Sequence, residues 1–467
     1  MRKKLQLGPW AWLAIGMVVV CFWHIHMIDR NMPQNRNDLL PRWVGIRAAM
    51  RGEDPYSAGA LREMQTAYYG RPLTAAESGI EPQGFYHPAY AVIVLGPFAL
   101  LPWSAARLLF LVIAPLMLAA GFWFWARELK GSTQVAWIAT CLTLASWPMM
   151  WALRLQQPTL LTAAFVFIAY AMIVRGRDIP AGILLAASTI KPQLVGVLIL
   201  WLFLWAVLQR RYRLLASFVC AMAALLIPTE ILVPDWFPRW IHSVAAYPHN
   251  GNTAFPLILG LGHSPGQLLT VALVSMSAFF VWKLRSVGAQ SPLFGFAFSL
   301  LLAVALCVTP TKLSMVYNQV LLAPAAVILA CWNPKGYVLG VTRCMALLPF
   351  VWGFMSVLIA VAGETIWGPS EIWIGLPFKN LLLPAVASVA LLIRLGSCLR
   401  LPDFFGNRWN HIEEISYHAH VRDLEDRSFG VLIDGHDGAR ALHAHDVLDG
   451  SADAEREVEL GRDGLPG

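Results

Sequence analysis

The sequence contains little charge: 13% of its 467 residues are Asp, Glu, Lys or Arg, whereas ordinary soluble domains carry about 25%. Hydrophobic residues make up 57% of the chain, and the mean hydropathy is +0.57. This composition excludes an ordinary soluble domain, and no nucleic-acid partner is expected. The sequence instead predicts an all-α protein that crosses a membrane several times.

The sequence also lacks the patterns of a disulfide framework, a thiolate metal site and a removable signal peptide. Its seven cysteines lie in or beside apolar segments, and no two of them form a CxxC pair. The first apolar segment follows MRKK and has no small-residue cleavage site. We interpret it as a first membrane span with a cytoplasmic N-terminus, and we expect no metal and no other cofactor.

Charge is divided unevenly along the chain. Residues 1–402 carry 29 basic and 13 acidic side chains, whereas residues 403–467 carry 6 basic and 15 acidic ones. Six of the 12 histidines lie in this acidic segment without a regular ligand spacing. We therefore expect a basic membrane body at 1–402 and a disordered, histidine-rich cytoplasmic tail at 403–467.

Apolar segments of about 20 residues, the length that crosses a bilayer, recur along the body. Short basic turns between them belong in the cytoplasm, because cytoplasmic loops are enriched in Lys and Arg. The same rule places the polar stretch 29–87 outside the cytoplasm as a long first loop. About 12 spans are predicted, including segments near 8–28, 104–126, 134–152, 159–174, 213–233, 257–283, 292–309, 313–331, 337–361 and 377–396.

Two apolar stretches do not fit a simple crossing. Lys191 and Pro192 interrupt the segment between the basic turns at Arg177 and Arg210, and the roughly 12 residues before Lys191 reach only about 18 Å as a helix. The second stretch, 85–102, is short and bounded by proline, and we interpret it as a re-entrant or shallow element. Irregular backbone at membrane depth is tolerated where it lines a polar cavity, so both stretches predict a cavity that opens outward.

Several polar residues could serve such a cavity, but each has a structural alternative. Lys191 is either functional or a lysine whose ammonium extends to the membrane surface. Asp38 precedes a helical segment with Pro41 in its first turn, so position alone favours an N-terminal cap over a base. Asp54 in GEDPY is interpreted as a turn residue. His87 could bind an anion or belong to an aromatic belt at the membrane interface.

The order of the motifs resembles that of a known family. The chain reads NDLLPRWVGIRAAMRGEDPY, FYHPAYAVIVLGPFALLP, LQQPTLL, AGILLAASTIKPQ, HNGNTAFPLILGLG and TPTKLSMVYNQVLLAPA among its apolar segments. Over roughly residues 8–400 this order is similar to that of glycosyltransferase family 87, which comprises membrane enzymes that use polyprenyl-phosphate sugars. The resemblance implies a GT-C-type fold and an enzyme of the cell envelope, similar to mannosyl- or arabinofuranosyltransferases.

The resemblance also implies roles for single residues. Asp38 would be the general base that takes a proton from the acceptor hydroxyl, because the family has an essential acid in its first extracytoplasmic loop. The polyprenyl phosphate would leave from the opposite face, which gives inversion. The phosphate would be bound by Lys191, Arg154 and His87, and the sugar or acceptor by Gln157, Asn252, Tyr317 and Asn318. No metal site is expected, because no acidic DxD pair lies outside the cytoplasm.

The expected enzyme moves mannose, or another hexose or pentose, from a polyprenyl-phosphate donor to a glycan, glycolipid or protein acceptor. It works among membrane lipids at the outer, extracytoplasmic face of the inner (plasma) membrane. The alternative is a transporter or flippase of lipid-linked saccharides, which would use the same cationic cavity without a base. The chain departs from the family where Tyr317 or Asn318 replaces a usual histidine and where YHPA replaces a frequent Tyr-Pro-Pro, so the sugar specificity stays open.

Overall fold

The structure of the protein is a computed structural model. It describes residues 37–77, 80–129, 133–247, 255–310, 316–331 and 383–399, with six isolated positions between residues 12 and 26. Chain contacts divide the protein into two units, residues 1–397 and 398–467, and nearly all described residues belong to the first. The predicted tail at 403–467 and the predicted span at 337–361 lie outside the described residues, so both stay predictions.

The described part of the chain is built from α-helices and two 3-10 helices, Ala75–Glu77 and Val316–Leu322, and it contains no strand. This agrees with the predicted all-α class. In chain order the α-helices are α1 (Leu39–Met50), α2 (Ala58–Tyr69), α3 (Ala91–Ala99), α4 (Trp103–Glu128), α5 (Thr133–Leu144), α6 (Trp147–Arg154), α7 (Thr159–Val174), α8 (Asp178–Ser188), α9 (Pro192–Leu208), α10 (Tyr212–Leu232), α11 (Trp236–Ala245), α12 (Pro256–Leu261), α13 (His263–Lys283), α14 (Pro292–Val308), α15 (Ala323–Cys331) and α16 (Leu383–Leu399).

Three helices of the described chain, α4, α10 and α13, are long and apolar enough to cross a membrane. A fourth crossing is possible if the bent pair α5 and α6 forms one span, and α7, α8, α9, α14 and α16 are shorter apolar helices. The protein therefore contains candidate membrane-spanning helices, as the sequence predicts. The predicted number of about 12 spans is not confirmed.

Three segments predicted as continuous α-helical spans depart from a single regular α-helix in the structure. Segment 134–152 bends by 49° between α5 and α6, where Pro148 stands in the first turn of α6 because a residue without N–H is tolerated there. Segment 257–283 divides at Gly262, whose φ of 89° suits glycine. Segment 313–331 begins, where it is described, as the 3-10 helix at Val316.

The first loop folds into two short helices that are capped by local side chains. In α1 the backbone N–H groups of Leu39 and Leu40 donate to Asn37 Oδ1, both at 3.1 Å. Helix α2 begins at the cap Ser57 and ends at Gly70, whose φ is 81°. Helix α3 follows with only 9 residues and contains Pro97. At about 1.5 Å per residue α3 is too short to cross a bilayer, as expected for stretch 85–102.

The predicted interruption at Lys191 is present. Helix α8 has 11 residues and ends at Ser188, and α9 begins at Pro192 with Lys191 as its N-cap residue. Proline suits the first turn of α9, but it would remove a hydrogen bond and clash inside a continuous helix. The break holds the Lys191 side chain within the protein, where it is 3% exposed.

Close helix packing depends on two glycines. Helix α4 packs along α7, and a Cβ atom on Gly121 would lie 2.8 Å from the Ala164 carbonyl oxygen. Helix α8 packs along α10, and a Cβ atom on Gly182 would lie 2.7 Å from the Leu214 carbonyl oxygen. Small residues allow such close approach of helices within membranes, where apolar burial between helices contributes little.

Helix α7 separates two chemically different ends of the helix assembly. Near its C-terminus Arg175 pairs with Glu128 at 2.6 Å, and Arg211 pairs with Asp178 and also donates to the Ile173 carbonyl oxygen. These contacts bring three of the predicted cytoplasmic turns to one end. The N-terminus of α7, about 24 Å away along 16 residues, lies beside Asp38 and Lys191.

Candidate active site

The candidate site begins at the N-terminus of α1, where two neighbouring residues have different tasks. Asn37 supplies the cap, because its Oδ1 atom accepts hydrogen bonds from Leu39 and Leu40. Asp38 makes no side-chain hydrogen bond to the helix. The interpretation of Asp38 as the cap is therefore wrong, and its carboxylate is directed to another part of the protein.

The partner of the Asp38 carboxylate is Gln157, which is 119 residues away in sequence. Gln157 Nε2 donates to Asp38 Oδ2, and the Asp38 N–H donates to the Leu155 carbonyl oxygen at 2.9 Å. Gln156 adopts a left-handed conformation with φ 51°, which ends α6 and turns the chain into α7. This conformation costs a residue other than glycine about 1 kcal/mol or more, and it precedes the amide that contacts Asp38.

Lys191 occupies the other side of Gln157. Its ammonium donates to Gln157 Oε1 at 2.9 Å and to Thr159 Oγ1 at 2.6 Å, and it lies 3.5 Å from Asn318 Oδ1. It also lies 4.8 Å from the centre of the Tyr317 ring. The ammonium is thus satisfied within the protein, and the alternative that Lys191 extends its charge to the membrane surface is wrong.

The hydrogen bonds that connect Lys191, Gln157 and Asp38 fix the orientation of the Gln157 amide. A lysine ammonium can only donate hydrogen bonds, and an ionised carboxylate can only accept them. The amide oxygen must therefore face Lys191, and the amide nitrogen must face Asp38. This arrangement stabilises an ionised Asp38 through a cation that does not contact the carboxylate directly.

Arg42 and His87 form the third part of the site. The Arg42 guanidinium donates through Nε to His87 Nε2 at 2.6 Å and also to the Asp38 carbonyl oxygen. Because Nε2 accepts this bond, His87 is neutral with its proton on Nδ1. Burial, followed by the charges of Arg42 and Lys191, lowers the pKa of His87 well below its usual value. His87 is also buried, which does not fit an exposed aromatic belt.

The remaining predicted residues are placed differently. Asn318 accepts a hydrogen bond from Thr159 Oγ1 at 2.7 Å and lies with Tyr317 beside Lys191. Arg154 is half-buried at the C-terminus of α6, where its guanidinium packs over the Trp151 ring at 4.8 Å. Asn252 lies outside the described residues. The structure thus brings Asp38, Gln157, Lys191, Tyr317 and Asn318 together and adds His87 through Arg42.

Sequence reasoning assigned no role to Arg42 or Thr159. Arg42 lies four residues after Asp38 on α1, and residues at this spacing share one face of a helix. That spacing was the available signal. Thr159 gave no comparable signal, because its contacts with Lys191 and Asn318 join parts of the chain 32 and 159 residues apart.

The charges of the site do not cancel. With Asp38 ionised and Lys191 protonated, the cluster has one negative group, Asp38, and two positive groups, Arg42 and Lys191, while His87 is neutral. Burial raises the pKa of Asp38 above its usual value, whereas Arg42, Lys191 and the hydrogen bond from Gln157 act in the opposite direction. The site therefore combines a carboxylate that can accept a proton with a surplus of positive charge. Among the described residues, no group of three or more His, Cys, Asp or Glu residues could hold a metal ion.

Comparison with known proteins finds a family match for the central part of the chain. None of the curated proteins compared with the chain matches it. Residues 85–310, however, match the family model of glycosyltransferase family 87. This stretch contains His87, Arg154, Gln157 and Lys191, and the structure connects it to Asp38 and Arg42, which precede it. Residues 85–310 are thus assigned to glycosyltransferase family 87, which indicates a glycosyltransferase that acts on a donor and an acceptor substrate, and the described chain contains candidate membrane-spanning helices.

Proposed function

We propose that the protein transfers mannose, or another hexose or pentose, from a polyprenyl-phosphate donor to a hydroxyl group of a glycan, glycolipid or protein acceptor. Asp38 is the general base, and Lys191 and Arg42 hold the donor phosphate. One observation carries the proposal: at the N-terminal end of α7 the half-buried Asp38 carboxylate is linked to Lys191 through Gln157, and Arg42 donates to the Asp38 carbonyl oxygen, next to residues of the family stretch.

The charge of the cluster supports an anionic donor. With His87 neutral, Asp38 ionised and Arg42 and Lys191 protonated, the cluster carries one positive charge in a partly buried site. A buried charge without a counterion is costly. A sugar linked to a polyprenyl phosphate is a phosphodiester with one negative charge, which balances the cluster. When the sugar leaves, the phosphate gains negative charge, and nearby cations stabilise that change.

The contacts of Asp38 support its role as a base. Gln157 donates to Oδ2, and within the described part of the chain Oδ1 accepts no hydrogen bond. An acceptor hydroxyl can therefore donate to Oδ1 and lose its proton to the carboxylate as its oxygen attacks the anomeric carbon. The phosphate then leaves on the face opposite to the attacking oxygen, and the product is inverted.

Other polar residues have secondary roles in this proposal. His87 is a hydrogen-bond donor to the phosphate through Nδ1–H rather than a cation. Arg154 is a second phosphate contact, and Gln157, Asn252, Tyr317 and Asn318 contact the sugar or the acceptor. Gln157 and Asn318 already hold or approach Lys191, so their sugar contacts would be combined with positioning of that lysine.

The distribution of basic turns supports an extracytoplasmic site in the inner (plasma) membrane. Ion pairs bring Arg175 and Arg211 to the end of α7 that is opposite to Asp38 and Lys191. Cytoplasmic loops are enriched in Lys and Arg. If the basic end faces the cytoplasm, the acceptor meets Asp38 at the outer face.

The test is transfer of labelled sugar from polyprenyl-phosphate mannose to a panel of octyl glycosides by purified protein in liposomes. Asp38→Asn should lower transfer at least about 100-fold, the usual minimum contribution of a general base, and leave donor binding intact. Asp235→Asn is the matched control, because Asp235 is an exposed acid at the start of α11 in a left-handed conformation that asparagine tolerates. It should retain wild-type transfer.

Retained transfer by Asp38→Asn would contradict the role of Asp38 as the base. The alternative function, transport or flipping of a lipid-linked saccharide, predicts another result. In that case, neither wild type nor Asp38→Asn transfers sugar, and both move labelled donor across the membrane at similar rates.

A further inference from the structure

Apart from the Asp38 cluster, a cavity lies between the first loop and helix α11, and we call it the second cavity. Its volume is about 600 Å³, within the roughly 300–1,000 Å³ that is usual for small-molecule sites. Among the described residues, its polar lining comprises Asp54, Tyr56, Tyr86, Arg239, His242 and Ser243. None of these residues belongs to the cluster around Asp38 and Lys191.

The charged residues of this cavity form a pair. Asp54 Oδ2 lies 3.2 Å from Arg239 NH1, and Asp54 Oδ1 accepts a hydrogen bond from the Tyr56 N–H at 2.9 Å. The second contact confirms Asp54 as the turn residue of GEDPY. The ion pair with Arg239 also connects the first loop to α11. Both side chains remain partly exposed, 27% for Asp54 and 42% for Arg239.

Two tyrosines provide ring surfaces in the same wall. Tyr56 packs edge-on against Phe85 with 5.6 Å between ring centres, and Tyr86 packs edge-on against Tyr247 at 4.4 Å. The Tyr86 carbonyl oxygen accepts a hydrogen bond from Trp240 Nε1 at 3.1 Å, which ties this wall to α11. The cavity therefore combines rings held by neighbours with a charge pair that can donate and accept hydrogen bonds.

The two sites differ in charge. The Asp38 cluster has a surplus positive charge, whereas Asp54 and Arg239 neutralise each other. A neutral polyhydroxyl ligand suits the second cavity, because hydroxyl groups can donate to a carboxylate and accept from a guanidinium. The C–H faces of a sugar ring can also pack against the tyrosines. A phosphate would have to compete with the Asp54 carboxylate for Arg239.

The second cavity is also connected to the proposed base. Tyr56 donates its hydroxyl proton to the His87 carbonyl oxygen at 2.7 Å, the His87 imidazole accepts from Arg42, and Arg42 donates to the Asp38 carbonyl oxygen. One layer of side chains therefore lies between this cavity and the Asp38 cluster. An acceptor with several sugar units in the cavity would have to pass around this layer to bring a hydroxyl to Asp38.

We propose that this cavity binds the saccharide part of the acceptor, while the Asp38 cluster binds the donor. This inference rests on the proposed glycosyl transfer. It assigns acceptor recognition to Arg239, Asp54 and the two tyrosines, and it predicts that acceptor and donor affinities can be changed separately.

The test uses Arg239→Gln in the same liposome assay, and the acceptor probe is the octyl glycoside of two or more sugar units to which wild type transfers sugar most readily. The KM for that glycoside should rise about 10-fold, equivalent to about 1.4 kcal/mol and close to one hydrogen bond to a charged group. The KM for polyprenyl-phosphate mannose should stay within about twofold. Arg62→Gln is the matched control, since Arg62 is exposed on α2 and, among the described residues, donates within that helix alone, to the Ala58 carbonyl oxygen.

The outcomes distinguish a failure of this inference alone from a failure of the proposed function. If wild type transfers sugar and the two variants have the same acceptor KM, the cavity is not the acceptor site, and the proposed function stands. An equal rise in donor and acceptor KM for Arg239→Gln also overturns the inference, because the effect is not specific to the acceptor. If wild type transfers sugar to no glycoside of the panel, the proposed function and this inference fail together.

Discussion

Asn37 and Asp38 are neighbours in sequence, but one stabilises the helix N-terminus and the other is available for chemistry. The helix N-terminus needs one side chain that accepts hydrogen bonds from its first N–H groups. Asn37 meets this need, so Asp38 can turn its carboxylate to Gln157. A carboxylate used as a cap would have its oxygens occupied by α1 and would be a poor proton acceptor.

A pH profile can test the link between Gln157 and Asp38. Burial raises the pKa of Asp38 above its usual value, and the Gln157 hydrogen bond lowers it. A general base must be ionised, so transfer should fall as the pH drops through this pKa, at a pH above the usual value of about 3.9. Gln157→Leu removes a bond to the charged form. It should move this acidic limb to higher pH by about 1 unit, the equivalent of one such bond.

Gln209→Leu is the matched control for this profile. Gln209 lies at the basic end of the helices and donates to the Ser286 carbonyl oxygen at 2.8 Å, so its replacement should leave the acidic limb in place. The measurement is kcat/KM for transfer between pH 4 and pH 9, a range of about 5 units that covers the expected shift. An unmoved limb in an active Gln157→Leu protein would mean that another group sets it.

At the scale of elements, close packing at glycine positions the helices that carry the site. Helix α8 leads to the break before Lys191, and its Gly182 faces the backbone of α10. A Cβ atom there would lie 2.0 Å from Ser217 Oγ and 2.7 Å from both Leu214 O and Phe218 N. The serine side chain can rotate, but the two backbone atoms move only with their helix.

Gly182→Ala should therefore lower the thermal unfolding midpoint of the purified protein. The expected loss is about 1–3 kcal/mol, as for overpacking in a core. Gly196→Ala in α9 is the matched control, because nothing lies within 4 Å of a Cβ atom at Gly196. It should be neutral or stabilise by up to about 1 kcal/mol through helix propensity. Similar midpoints for both variants would show that α8 and α10 can separate at little cost.

At the scale of the whole molecule, α7 places the candidate site and the basic turns at opposite ends. If the positive end is cytoplasmic, a cysteine on the first loop and one on a basic turn should react from different sides. Glu63→Cys in exposed α2 should be labelled by a membrane-impermeant maleimide in intact cells. Arg177→Cys in the turn before α8 should be labelled only after the membrane is opened.

Wild type supplies the background for this labelling, since it contains the exposed Cys220. Labelling of both variants in intact cells, or of Arg177→Cys alone, would contradict the predicted orientation. Labelling of Arg177→Cys alone in intact cells would place Asp38 at the cytoplasmic face. The acceptor would then have to be a cytoplasmic molecule, while the chemistry of the site would be unchanged.

Much of the fold followed from local rules. Low charge and repeated apolar segments predicted a helical membrane protein, and Pro192 and the prolines that bound 85–102 marked helices that could not continue or cross. The interruptions at Ser146 and Gly262 were missed, because hydropathy averaged over a window does not register a single turn. The number of spans is also difficult to predict, since many helices of the described chain are shorter than a bilayer is thick.

The sequence by itself determined the class of the protein, the position of the main break at Lys191 and most of the polar residues that meet at the candidate site. Only the tertiary structure decided which residues pair: Asp38 with Gln157, Lys191 with Thr159 and Asn318, and Arg42 with His87. The physical reason is the distance along the sequence over which each kind of contact acts. Caps, turns and helix faces depend on residues up to about four positions apart, whereas these pairs join residues 32 to 127 positions apart and exist only once the helices have packed.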